Sequence, residues 1–202
     1  MLMKGILVNC LNPAKFASIL ATCLLLTAPS LYATTANAAA VKEPIPRAAS
    51  TPDTPKNWAG PKHKIFAQLL VDELMAAHPE VMSITMHGTP PGTPKGTYTM
   101  FAGSFPDRIG NESSPGDIIT IEKAVTQVES KWGSPNWKKK VSIVLPLKDR
   151  AGNYLPAAMV VAFKTSPDDT RIDTDFMAPG IAMRDSLNAR IASFQALFAP
   201  VD

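Results

Sequence analysis

Residues 141–164 constrain the fold more than any other stretch. VSIVLPL and YLPAAMVVAFK are apolar runs of strand length on either side of Asp149-Arg150-Ala151-Gly152-Asn153. A turn of that chemistry, with a glycine able to take positive φ, closes a β-hairpin. The sequence therefore predicts a strand within 138–148 and a buried return strand over 154–164.

The rest of the chain supplies helices and a second pair of strands. In 62–77, Phe66, Leu69, Leu70 and Leu74 recur at three- and four-residue spacing, which predicts a helix with one apolar stripe. Pro61 and Pro79 punctuate it. Periodicity then switches to two: in 81–87, Met82, Ile84 and Met86 face one side and Ser83, Thr85 and His87 the other. A turn-rich GTPPGTPKG connection leads to a further strand over 97–102, and 103–117 reads as irregular and polar. Asp117 reads as the N-cap of a helix over 118–125. A polar loop over 166–173 precedes a closing helix over 180–198, with Met183, Leu187, Ile191, Phe194 and Phe198 on its stripe. The class is α+β with an antiparallel sheet.

The amino end reads as an export signal. Lys4 and Lys15 precede or open an uncharged run, FASILATCLLLTA, of 13 residues, too short for the roughly 20 that a spanning helix needs. Ala36-Asn37-Ala38 offers the small residues of a cleavage site, so 1–38 is expected to be removed and the protein to be periplasmic or secreted. An uncleaved anchor is the alternative. Leu20-Ala21-Thr22-Cys23 makes a poor lipoprotein box because Thr22 precedes the cysteine. The only cysteines, Cys10 and Cys23, lie in this segment, so disulfides, thiol catalysis and thiolate metal sites are not expected in the mature chain. Residues 39–61, with five prolines, read as an extended, solvated linker, the alternative being that Trp58 tucks against the domain, and 62–202 as one domain. Lys+Arg is 20 and Asp+Glu 17; without Lys4 and Lys15 the balance is 18 to 17, which excludes a general nucleic-acid binder.

With that element order, the HGTPPG turn, the FPDRIGNESSPGD crossover and the VLPLKDRAGNYLPAAMVVAFK hairpin, the chain resembles the periplasmic PAS-like sensor fold, the single-Cache type of extracytoplasmic ligand-binding domain. The resemblance covers 62–198. It implies a domain that binds a small metabolite, and it departs from the membrane-tethered pattern because no second apolar span precedes Asp202.

Candidate site residues follow from both readings. His87 ends the first strand, where it projects into a cavity or stands exposed at the strand end. Thr85, Tyr98 and Met100 share that cavity if one exists. Ser104, Phe105 and Arg108 lie in the glycine-flanked crossover: Phe105 walls an apolar pocket, and Arg108 offers a guanidinium fork suited to a carboxylate or phosphate, or else pairs with Asp107 or Glu112 at the surface. His63, His78 and His87 form no compact metal motif, and His78 is expected to cap helix carbonyls. No G-x-S-x-G, HExxH or P-loop occurs, so no catalytic residue is named and no cofactor or metal is expected. Trp132, Trp137, Lys138, Lys139 and Lys140 read as a basic hairpin edge. The expected function is non-enzymatic binding of a small polar or anionic molecule. The alternatives are an accessory subunit with an envelope protein partner, and a small hydrolase or lyase.

Overall fold

The computed structural model describes residues 54–129 and 140–201. In chain order it has helix α1 (Phe66–Ala77), strands β1 (Val81–Gly88) and β2 (Thr99–Gly103), helix α2 (Pro115–Lys123), strands β3 (Gln127–Glu129), β4 (Lys140–Lys148) and β5 (Tyr154–Lys164), and helix α3 (Asp173–Asn188). Short 3-10 turns occupy Pro106–Arg108 and Gln195–Phe198. The five strands form a sheet of order β2-β1-β5-β4-β3 with every neighbouring pair antiparallel. This is the expected PAS-like α+β architecture, with an N-terminal helix, a helical crossover and a C-terminal helix. The export signal and most of the Trp132–Lys140 knot lie outside the described residues; Lys140 opens β4.

Strand alternation divides the sheet into two unlike faces. Ile84 and Met86 of β1, Ile143 and Leu145 of β4, and Met159 and Val161 of β5 point to one side and are fully buried. α1 covers that side over β1 and β2, and α3 covers it over β4. Each such side chain contributes roughly 1.5–3 kcal/mol by leaving water, so this face carries most of the stability. The opposite face holds Thr85 and His87 beside a small apolar group of Ile121, Val144 and Ala158 under α2. The β4–β5 turn closes as predicted, with Gly152 at φ 86 and the Asp149 carboxylate accepting from the Ala151 and Asn153 amides.

Several boundaries differ from the sequence reading, each for a local reason. α1 begins at Phe66, not Lys62, because Ile65 bridges to Pro200 and the Phe66 amide donates to Ala199 O at 2.8 Å. α2 begins at Pro115 because Ser114, not Asp117, is its N-cap. Asp117 is the third helical residue, and the two side chains cap each other's amides at 3.2 and 2.9 Å. α3 spans Asp173–Asn188 instead of 180–198, its first turn fixed by the Asp175 carboxylate accepting from the Ile172 amide at 2.8 Å. Ile191, Phe194 and Leu197 reach the core from beyond the helix, which is why the apolar spacing read as one long helix. The three-residue β3 pairs with β4 in a stretch that the sequence reading left unassigned. The His78 side chain bonds Glu80 at 2.9 Å instead of capping carbonyls.

The packed domain also reaches back to Thr54. Past β2, the crossover adds a short rung through Met100 N–H to Asn111 O (2.9 Å) and Gly110 N–H to Met100 O (2.8 Å). Residues 55–57 add another, through Asn57 N–H to Gly110 O (2.9 Å) and Glu112 N–H to Pro55 O (3.0 Å). Trp58, read as part of a solvated linker, is half-buried edge-on to Phe198 at 6.2 Å. These rungs cover the edge that β2 would otherwise present.

Candidate functional site

An open cleft of about 590 Å³ lies on the more polar face of the sheet, between β1, the crossover and α2. Such a volume falls within the range of small-molecule sites, roughly 300–1,000 Å³. Its sheet wall comprises Thr85, His87, Met100, Lys140 and Val160. The crossover supplies Arg108, Asn111, Glu112, Ser113 and Ser114; Asp117 and Ile118 come from α2, and Thr54 and Pro55 from the N-terminal strap.

Three of the six residues predicted from sequence meet here: His87, Met100 and Arg108. The other three serve the fold. The Tyr98 hydroxyl donates to Glu122 Oε1 at 2.8 Å and packs with the Ile121 group. Ser104 Oγ accepts from the Ile84 amide at 3.2 Å, pinning the end of β2 to β1. Phe105 is buried, and its ring supports the Arg108 guanidinium, 4.6 Å from the centroid. Arg108 is thus a stacked cleft residue.

His87 anchors the wall. Only 8% of it is exposed, and it follows a register shift in the β1–β2 pairing between Met86 and His87. Its Nε2 lies 2.9 Å from Thr85 Oγ1, and its Nδ1 lies 3.0 Å from Ser113 Oγ and 3.5 Å from Asp117 Oδ2. A carboxylate beside Nδ1 favours the tautomer with the proton there, so we assign Nδ1–H donating to Ser113 and Nε2 accepting from the Thr85 hydroxyl. Asn111, Ser113, Ser114 and Asp117 line the cleft but were not among the site residues expected from sequence. The signal for them was Ser114-Pro115-Gly116-Asp117, a capping box with proline at the first helical position, which fixes the start of α2 against the sheet.

Burial pushes the His87 imidazole below its ordinary value, and the nearby Asp117 charge offsets part of that. The folded protein therefore holds fewer protons on His87 than the unfolded chain below about pH 6.5. Stability is expected to fall as pH drops from 7.5 to 5.5, by at most about 1.4 kcal/mol per unit from this group. Urea unfolding of wild type and His87→Gln at the two pH values measures it. The variant should lose less on acidification; equal losses would show that His87 is not held neutral.

Among the described residues, no group of three His, Cys, Asp or Glu side chains is placed to hold a metal ion. No helix among them is long and apolar enough to cross a membrane.

No family model and no curated protein matches the chain. The type II free methionine-R-sulfoxide reductase from Thermoplasma acidophilum is similar in part, at 13% identity and TM-score 0.40, covering 66% of this chain and 93% of that one. The C-terminal domain of the E. coli transcriptional regulator KdgR is similar at 14% identity and TM-score 0.38, covering 65% and 96%. Likenesses of this size assign neither family nor activity.

Proposed function

We propose that this protein is an exported, sensor-like domain of the periplasmic PAS-like, single-Cache type that binds a small polar or anionic molecule in the cleft beside α2, without catalysis. The observation that carries the reading is the cleft itself: an open volume over a sheet face whose β1 residues are polar, opposite a fully packed face. A filled sheet face with an exposed apolar patch would instead have favoured an accessory subunit docking on an envelope protein. Thr85, His87 and Asp117 form a hydroxyl–imidazole–carboxylate run, yet Asp117 Oδ2 is engaged by the Ser114 amide and hydroxyl, and Ser113 lies nearer to Nδ1. That arrangement supports a hydrogen-bonded wall over a charge relay for hydrolysis. Export rests on the composition of residues 1–38.

A thermal-shift screen of metabolites on the purified protein tests the reading, since a ligand at 100 times its Kd adds about 2.7 kcal/mol of stability. For an anionic hit, Arg108→Ala is expected to weaken binding about 10- to 150-fold, the equivalent of one charged hydrogen bond. Arg108→Lys should restore only part, because an ammonium lacks the guanidinium fork and stacks less well on Phe105. Equal affinities for wild type and Arg108→Ala by titration calorimetry would reduce Arg108 to a lining residue with no role in recognition.

A further inference from the structure

We propose that the α2 end of the cleft receives a hydrogen-bond-donating group of the ligand, a hydroxyl or an ammonium, and turns away carboxylates and phosphates. This rests on the ligand-binding reading above and narrows it.

A helix N-terminus ordinarily attracts anions through its free amides and its dipole. At α2 the protein supplies that anion itself. Asp117 Oδ2 accepts from the Ser114 amide at 2.9 Å and from the Ser114 hydroxyl at 2.8 Å, while Ser114 Oγ caps the Asp117 amide. An incoming carboxylate or phosphate therefore finds the favourable position occupied and a like charge beside it.

Asp117 also retains capacity to accept. Its contacts run through Oδ2, and nothing among the described residues donates to Oδ1, although the residue is only 7% exposed and lines the cleft. The neighbouring imidazole supplies no compensating cation, because burial holds His87 neutral. Among the described lining residues, the acids Glu112, Asp117 and Glu129 face the cations Arg108 and Lys140, and Lys140 lies 3.8 Å from Glu129. The described wall is thus slightly acidic, and most so at α2. Among the described lining residues there is no Phe, Tyr or Trp side chain. A donor-rich aliphatic group fits these surroundings: it satisfies Oδ1 and exchanges hydrogen bonds with the hydroxyls of Thr85, Ser113 and Ser114.

Three probes with the same six-carbon polyol chain separate the possibilities: D-sorbitol, 1-amino-1-deoxy-D-sorbitol and D-gluconate. They carry a neutral, a cationic and an anionic end. Titration calorimetry at neutral pH on the full chain carrying Arg108→Ala, which removes the guanidinium that would hold a carboxylate, should show sorbitol or its amine binding at least about tenfold more tightly than gluconate. A preference for the amine identifies an ammonium at Asp117, and parity between the first two identifies a hydroxyl. Asp117→Asn keeps the size of the side chain and removes its charge, so it should shrink the gap between amine and gluconate about tenfold or more. Gluconate binding tightest to Arg108→Ala, where no guanidinium holds its carboxylate, overturns the inference and leaves the binding function standing. So does an unchanged order in a folded Asp117→Asn. If that variant does not fold, the ordering in Arg108→Ala decides alone. Silence of all three probes overturns the inference; silence of the metabolite screen as well takes the binding function with it.

Discussion

Gly110→Ala is expected to detach the N-terminal strap and to cost roughly 2–4 kcal/mol. Gly110 sits at φ 91, a conformation that side chains rarely adopt, and a Cβ there would lie 2.0 Å from the carbonyl oxygen of Trp58. Holding a non-glycine residue at such a φ costs about 1–3 kcal/mol. The overlap with Trp58 adds to that, because the contact is with backbone and no side-chain rotation relieves it. The strap has to lift, and with it go the Asn57 N–H to Gly110 O bond, the Lys56 Nζ to Ile109 O bond and the packing of Trp58 on Phe198. Each hydrogen bond contributes about 0.5–1.5 kcal/mol net.

The consequence extends to function because Thr54 and Pro55 line the cleft. Trypsin should cut after Lys56 much faster in Gly110→Ala than in wild type, and the urea midpoint should fall with little change in slope. Ligand affinity should fall with strap docking, since one wall is lost. A variant with wild-type proteolysis and an unshifted midpoint would mean that the strap is not seated on the crossover.

The sheet was legible in the sequence and the cleft only in part, and particular residues show why. Tyr154–Lys164 reads directly as β5 because its apolar run is bounded by a glycine turn and a polar loop. The alternation gives the correct faces from Ile84 onward, so His87 and Thr85 reach the cleft while Ile84 and Met86 reach the core; Met82, read with them, gives its place to Val81 because the pairing with β5 shifts register between Val81 and Ser83. Tyr98, Ser104 and Phe105 look like site residues because they are near Met100 and Arg108 in sequence. What decides their role is a partner far along the chain or across the sheet: Glu122 for Tyr98, and the Ile84 amide for Ser104. Asp117 was visible as a capping residue, but its approach to His87, thirty positions away, depends on how the crossover folds over β1. Trp58 was misread for the opposite reason. A proline-rich stretch suggests an extended chain, and residues 55–57 are indeed extended, but as a rung against Gly110 and Glu112.

Phe101→Ala should be among the most destabilising single substitutions, at about 3–5 kcal/mol. Phe101 is 1% exposed and leaves β2 on the face opposite Met100, so its loss opens a cavity in the core while the cleft keeps its own lining. Its ring meets Phe198 at 4.9 Å and Phe194 edge-on at 6.1 Å, and Phe198 in turn meets Trp58. Those partners come from the 3-10 turn Gln195–Phe198, from Phe194 just before it and from the strap, all outside the sheet and helices α1–α3. Phe101 is therefore the sheet residue against which these segments pack, and collapse of the site after truncation would move them along with it. Phe101→Leu keeps most of the volume and should cost under about 1.5 kcal/mol. Against a total stability of about 5–15 kcal/mol, the alanine variant should show a clearly lowered urea midpoint and faster cleavage after Lys56. The leucine variant should show neither to the same degree. A loss below about 1.5 kcal/mol for Phe101→Ala would mean that Phe194, Phe198 and Trp58 repack without it, and that the strap is held by its backbone rungs alone.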